Sequence, residues 1–93
     1  MRESKIEKEV TQFAEKYGML HYKFTSPGHR GVPDHLYITQ RGTIFFIEFK
    51  QAGKVPGPSQ AREIQRMQSN NVMVFVVDNV DYGKGVISGF INN

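Results

Sequence analysis

The spacing of hydrophobic residues along this chain changes several times, and each change marks a predicted element. Ile6, Val10, Phe13 and Tyr17 recur at the spacing of one helix face and Gly18 follows as a stop, so residues 4–17 read as an amphipathic helix. Met19 to Phe24 mixes apolar and aromatic residues with His21 and Lys23 and reads as a first strand, followed by a Ser/Pro/Gly-rich loop over Thr25 to Val32. Two further apolar runs, one entered at Asp34 and one ending Ile44-Phe45-Phe46-Ile47-Glu48-Phe49-Lys50, flank Gln40-Arg41-Gly42. That tripeptide suits a three-residue hairpin loop, a type I turn closed by a left-handed glycine. The loop sets the register: Ile38 opposite Ile44, Leu36 opposite Phe46, Asp34 opposite Glu48, with Lys50 two residues on, all on one face of the sheet.

Gln51 to Pro58 is too rich in Gly and Pro for regular structure. It delivers the chain to a second helix that starts with Pro58 in its first turn or Ser59 as its cap and runs to about Ser69, with Ala61, Ile64 and Met67 predicted to face the sheet. Val72 to Val77 is a continuous apolar run, predicted to be a strand buried on both faces. The intervening helix makes it parallel to the Glu48 strand through a right-handed crossover. In the tail, Tyr82, Val86 and Phe90 keep helical spacing despite Gly83, Gly85 and Gly89, and a short helix is expected there. The succession is that of an α/β fold.

Candidate chemistry sits where a buried sheet wants no charge. Two carboxylates facing one another across a strand pair repel, and each raises the pKa of the other, so Asp34 and Glu48 ask for a cation between them. A divalent metal ion answers that need. The alternative is an edge ion pair between Glu48 and Lys50, with Asp34 merely capping a turn. Three charges placed together by one hairpin favour a site over that account. The formal net charge is +3, and its distribution is more informative than its total. Residues 20–66 carry seven basic and three acidic side chains, against four and four in residues 1–19 and one and two in residues 67–93. Two of those three central acids are Asp34 and Glu48, so the motif is surrounded by Lys23, Arg30, Arg41, Lys50, Lys54, Arg62 and Arg66. A phosphate backbone is the ligand that such surroundings suit.

The residues Lys23-Phe24, Ser26-Pro27-Gly28, Gly31-Val32-Pro33-Asp34, Ile47-Glu48-Phe49-Lys50 and Gln60, in this order, resemble the PD-(D/E)XK nuclease superfamily and, within it, a VRR-NUC domain. The resemblance spans the first helix to about Asp78. It implies a restriction-endonuclease-like αβββαβ core with a mixed four-stranded sheet flanked by helices. It also implies a metal-dependent DNA endonuclease in which Asp34, Glu48 and the main-chain carbonyl of Phe49 hold Mg²⁺ or Mn²⁺ and Lys50 serves the attacking water. A glutamate on the first helix often joins such sites, which points to Glu7, with Glu3 a further candidate on the same flank. Ser4-x-x-Glu7 also spells a capping box, in which Glu7 would turn back to the Ser4 amide. Lys23, Ser26, His29, Arg30, Lys54, Arg62 and, by family position, Gln60 are expected to contact DNA. His29 and His35 are not read as ligands, because the ions of phosphoryl chemistry prefer oxygen.

Ninety-three residues without linker or repeat make one expected domain, 1–93, with a modest core. No cysteine is present, and no apolar run reaches the length of a membrane span. These features fit a soluble cytoplasmic protein and, from the family's small members, a prokaryotic or phage-infected cell. A small core and little gripping surface make a twofold homodimer on branched DNA, such as a four-way junction, the expected working form. A monomeric flap nuclease or a non-cleaving DNA-binding module is the alternative.

Overall fold

The computed structural model describes residues 1–93. Seven elements follow in order: α1 (Glu3–Lys16), β1 (Leu20–Lys23), β2 (His35–Ile38), β3 (Ile44–Phe49), α2 (Pro58–Ser69), β4 (Val74–Val77) and α3 (Val80–Gly89). The strands form one mixed sheet in the order β1-β2-β3-β4, antiparallel across β1–β2–β3 and parallel between β3 and β4. This is the αβββαβ arrangement that the sequence implies, extended by α3.

Hairpin chemistry sets the centre of the sheet. Thr39 N–H donates to the Thr43 carbonyl at 2.9 Å, Gly42 N–H donates to the Thr39 carbonyl at 3.0 Å, and Gly42 has φ 87°. The loop is therefore the expected one, and Ile38 pairs with Ile44 and Leu36 with Phe46.

One face of the sheet carries the core. Ile6, Val10 and Ala14 of α1 are fully buried against Tyr37, Phe45, Ile47, Phe49 and Val77, with Ile87 of α3 joining them. Phe90, just past α3, stacks on Phe45 with ring centroids 4.2 Å apart, and the Tyr37 hydroxyl reaches Thr11 Oγ1 at 2.7 Å. Gly83 lies where any side chain would strike the β-branched Val10. A glycine that weakens an isolated helix thus lets α3 pack closely on α1, and Asn79 caps α3 by accepting from Tyr82 N–H at 2.8 Å.

Several local expectations give way to tertiary packing. Helix α1 begins at Glu3 with Arg2 as its cap residue and no side-chain cap bond, so Ser4 and Glu7 form no capping box. Tyr17 follows the helix and stays 40 % exposed. Ala61 is exposed, and the inward stripe of α2 is Gln60, Glu63, Ile64 and Met67. Strand β4 is shorter than the apolar run and lies at the sheet's edge, with Phe75 and Val76 only half-buried. Its high apolar content follows from covering both α2 and α3 rather than from a central place.

Candidate active site

Strand alternation places Asp34, Glu48 and Lys50 on the face opposite the core, at the end of the sheet where α2 begins. The formal ladder between β2 and β3 ends at His35–Ile47, and Asp34 precedes it in register with Glu48. Phe24 N–H donates to the Asp34 carbonyl at 2.7 Å, which holds the Gly-Pro turn against β1. The Phe49 carbonyl lies past the last β2–β3 pair.

An open cleft of about 510 Å³ brings Asp34, Glu48 and Lys50 together with Arg30, Gln60 and Glu3. The chain approaches itself closely here: a Cβ on Gly31, whose φ is +83°, would lie 2.5 Å from the Ser59 carbonyl oxygen. Only glycine fits both the backbone conformation and the gap.

Gln60 organises the site. Its Oε1 accepts from Gly57 N–H at 3.1 Å and from Lys50 Nζ at 3.0 Å, while its Nε2 donates to Glu48 Oε2 at 3.1 Å. The first turn of α2 thereby fixes the amide, and the amide separates the lysine from the carboxylate. The Glu48–Lys50 ion pair and the Asp34 turn cap of the structural alternative do not form; Asp34 pairs with Lys23 instead, and Gln60 bridges Lys50 and Glu48. Glu48 is only 7 % exposed. Burial first, then the charge of Asp34, push its pKa up to about 7, against the pull of Lys50.

Asp34 is half-exposed and pairs with Lys23 Nζ at 3.2 Å. Behind it, His35 is buried, accepts or donates with His21 at 2.8 Å, and meets Glu7 Oε1 at 2.9 Å. Glu7 therefore faces a small pocket with Thr11, His21, Lys23 and His35, and Glu3 is the α1 carboxylate that lines the cleft. Both acids flank the helical stripe in the sequence, and how far the helix overhangs the sheet selects between them. Of the expected DNA contacts, Arg30 and Gln60 line the cleft and Lys23 adjoins Asp34. His29 is tied to Glu63 at 2.8 Å, Ser26 is half-buried in the loop, and Lys54 and Arg62 are exposed away from the cleft lining.

The donor set suits a hard divalent cation. Asp34, Glu48 and Glu3 line the cleft with oxygen donors, and burial followed by the charge of Asp34 raises the pKa of Glu48 there. No three acidic or imidazole side chains converge as a ready-made ligand cluster. The Lys23 contact of Asp34 and the Gln60 contact of Glu48 occupy oxygens that an ion would take.

No family model matches the chain. It is 43 % identical over 81 residues to "Putative nuclease p44" of Acyrthosiphon pisum secondary endosymbiont phage 1, covering 87 % of each protein. It superposes on a solved VRR_NUC domain with a TM-score of 0.86 and 32 % identity, over 95 % of this chain and 96 % of the other. The chain belongs to the VRR-NUC nuclease family. In this VRR-NUC domain Asp34, Glu48 and Lys50 share one sheet face, and Gln60 is the residue through which the crossover helix reaches Glu48 and Lys50.

Proposed function

We propose that this VRR-NUC domain is a metal-dependent DNA endonuclease that acts as a homodimer on branched DNA, with four-way junctions as the preferred substrate. The observation that carries the reading is Glu48: a carboxylate 7 % exposed, pushed to about pH 7 by burial and Asp34, in a cleft walled by Arg30 and Lys50. Such an arrangement is costly for folding alone and useful for holding a cation against a phosphate. Asp34, Glu48 and the Phe49 carbonyl would hold Mg²⁺ or Mn²⁺, with Glu3 the α1 carboxylate at hand.

A bound ion of this kind lowers the pKa of water and offsets charge on the scissile phosphate. The residues do the rest. Gln60 restrains Lys50 and Glu48 at once, so the ammonium and the carboxylate keep a set separation at 3.0 and 3.1 Å from one amide. Lys50 orients the attacking water and balances charge on the phosphate oxygens as they become more negative. Arg30 and Lys23 draw the backbone in, and Lys23 takes phosphate in exchange for Asp34.

Incubation with a four-way junction, a flap and a plain duplex, with Mn²⁺, Mg²⁺ or chelator, tests the reading. Cleavage that requires the metal, favours the junction and disappears in Glu48→Gln is expected. Metal-independent cutting, or a wild-type rate in Glu48→Gln, refutes the assigned site. Equal cutting of junction and duplex refutes the substrate preference alone.

A further inference from the structure

Helix α2 carries two polar side chains one turn apart, and each holds a different part of the cleft. Gln60 ties Lys50 to Glu48. Glu63, three residues on, meets the loop that precedes Asp34: His29 Nε2 donates to its Oε1 at 2.8 Å, and Arg66 Nη1 donates to the same oxygen at 3.2 Å. The Glu63 side chain is only 13 % exposed. A carboxylate so withdrawn from water is costly unless strong donors replace the water, and here His29 and Arg66 do so. The loop is shaped to bring His29 there. His29 N–H closes a turn on the Ser26 carbonyl at 3.2 Å, with Pro27 and Gly28 at its centre and Gly28 at φ 78°, as a type II turn requires. Two residues past His29, Gly31 lies so close to α2 that a Cβ would come within 2.5 Å of the Ser59 carbonyl oxygen. Arg30 is therefore anchored on both sides, through His29 before it and Gly31 after it, and its exposed side chain lines the cleft. Arg30 takes part in none of the molecule's ion pairs, so its place is set through these neighbours.

We infer that Glu63 is a positioning residue for the substrate: by anchoring His29 it holds the Arg30 guanidinium in the cleft, ready for a phosphate of DNA. The inference rests on the nuclease reading above for the identity of the ligand. An arginine on a free Gly/Pro loop must give up loop and side-chain freedom when it grips a phosphate, and a loop already docked on α2 gives up less, so the anchor tightens binding. The sign of the effect separates this role from simple electrostatics. An acid near the path of a phosphate backbone repels it, and its removal alone strengthens binding. Loss of the anchor weakens binding instead. Helix α2 then serves both halves of the cleft from one end, with Gln60 setting Lys50 and Glu48 for the chemistry and Glu63 setting Arg30 for the grip.

Two measurements on wild type, Glu63→Gln and Glu63→Ala test it. The first needs no DNA: trypsin cleavage after Arg30, followed by mass spectrometry and normalised to cleavage after Arg41 in the hairpin loop. Glutamine keeps an oxygen for His29 and alanine does not, so the Arg30 cut is expected to be about 10-fold faster in Glu63→Ala and close to wild type in Glu63→Gln. The second is binding of a labelled four-way junction and a plain duplex in chelator. Both variants lose the same negative charge, so their difference isolates the anchor. Glu63→Ala is expected to bind about 3- to 10-fold more weakly than Glu63→Gln, and the difference is expected to vanish when Arg30→Ala is added to both. Cooperative melts show that the variants fold; His29→Ala, at a position 46 % exposed, removes the same bond from the loop side and takes the place of Glu63→Ala should that variant not fold. Equal trypsin rates in all three proteins overturn the anchor. A faster Arg30 cut with equal affinities, or a difference that survives Arg30→Ala, overturns the positioning role and leaves the nuclease reading standing. A wild type that protects Arg30 from trypsin yet binds neither DNA refutes the nuclease reading, and the positioning role with it.

Discussion

Replacing Glu48 with glutamine should stabilise the metal-free protein at pH 8 and leave it nearly unchanged at pH 4. The perturbation is confined to charge, because glutamine keeps an oxygen that can accept from Gln60 Nε2 as Glu48 does at 3.1 Å. Burial and Asp34 move the carboxyl from an ordinary 4.5 to about 7 in the folded protein. Below 4.5 both folded and unfolded forms are protonated and no penalty exists. Between 4.5 and about 7 the unfolded chain releases its proton while the folded one retains it, so stability falls as pH rises through this window. Above about 7 the full penalty persists.

A change of this size corresponds to about 3 kcal/mol. The cleft is open to solvent, which screens the charge and reduces the effect to about 1–2 kcal/mol. For a chain of this length that is a melting temperature higher by about 4–16 °C in the variant at pH 8. Circular dichroism melts of both proteins in chelator at pH 4 and pH 8 measure it. A variant less stable than wild type at pH 8, or a difference that does not depend on pH, would show that Glu48 is not a strained anion and would remove the physical basis of the site.

Adding Mn²⁺ to wild type at pH 8 should raise its melting temperature, since an ion that binds only the folded state stabilises it by mass action, and Asp34→Asn should lose that rise. Gln60→Ala should lower the cleavage rate by about 10-fold or more while leaving junction affinity within a few-fold, because it frees Lys50 and Glu48 from one another without removing a cleft cation; single-turnover kinetics beside a binding titration check it. Gly83→Ala should destabilise the fold by about 1–3 kcal/mol through overpacking against Val10 and Val77, despite alanine's better helix propensity, as read from denaturant melts. Lys50→Ala should abolish cleavage and retain the Mn²⁺-induced rise, and loss of both would make Lys50 a structural residue instead.

What local chain geometry controls was legible before any fold was known. The period of two in a strand and the left-handed glycine at position 42 determine which side chains share a face, so one loop and two apolar runs put Asp34, Glu48 and Lys50 together. Helix α3 was legible from Tyr82, Val86 and Phe90, although the reason for its glycine at position 83 was not. Contacts between elements depend on docking angle and overhang, to which no short window of residues is sensitive. Glu3 reaches the cleft and Glu7 turns to His35 because of where α1 ends relative to the sheet. Gln60 rather than Ala61 faces inward, where it links Lys50 to Glu48, and α2 packs against β4 while the β1–β2 side of that face stays uncovered. The sequence by itself determined the register that makes the site, because steric rules between near neighbours act without help. Only the tertiary structure decided which helix residues enter that site and which sheet face the helices leave uncovered, because those follow from the packing of whole elements against one another.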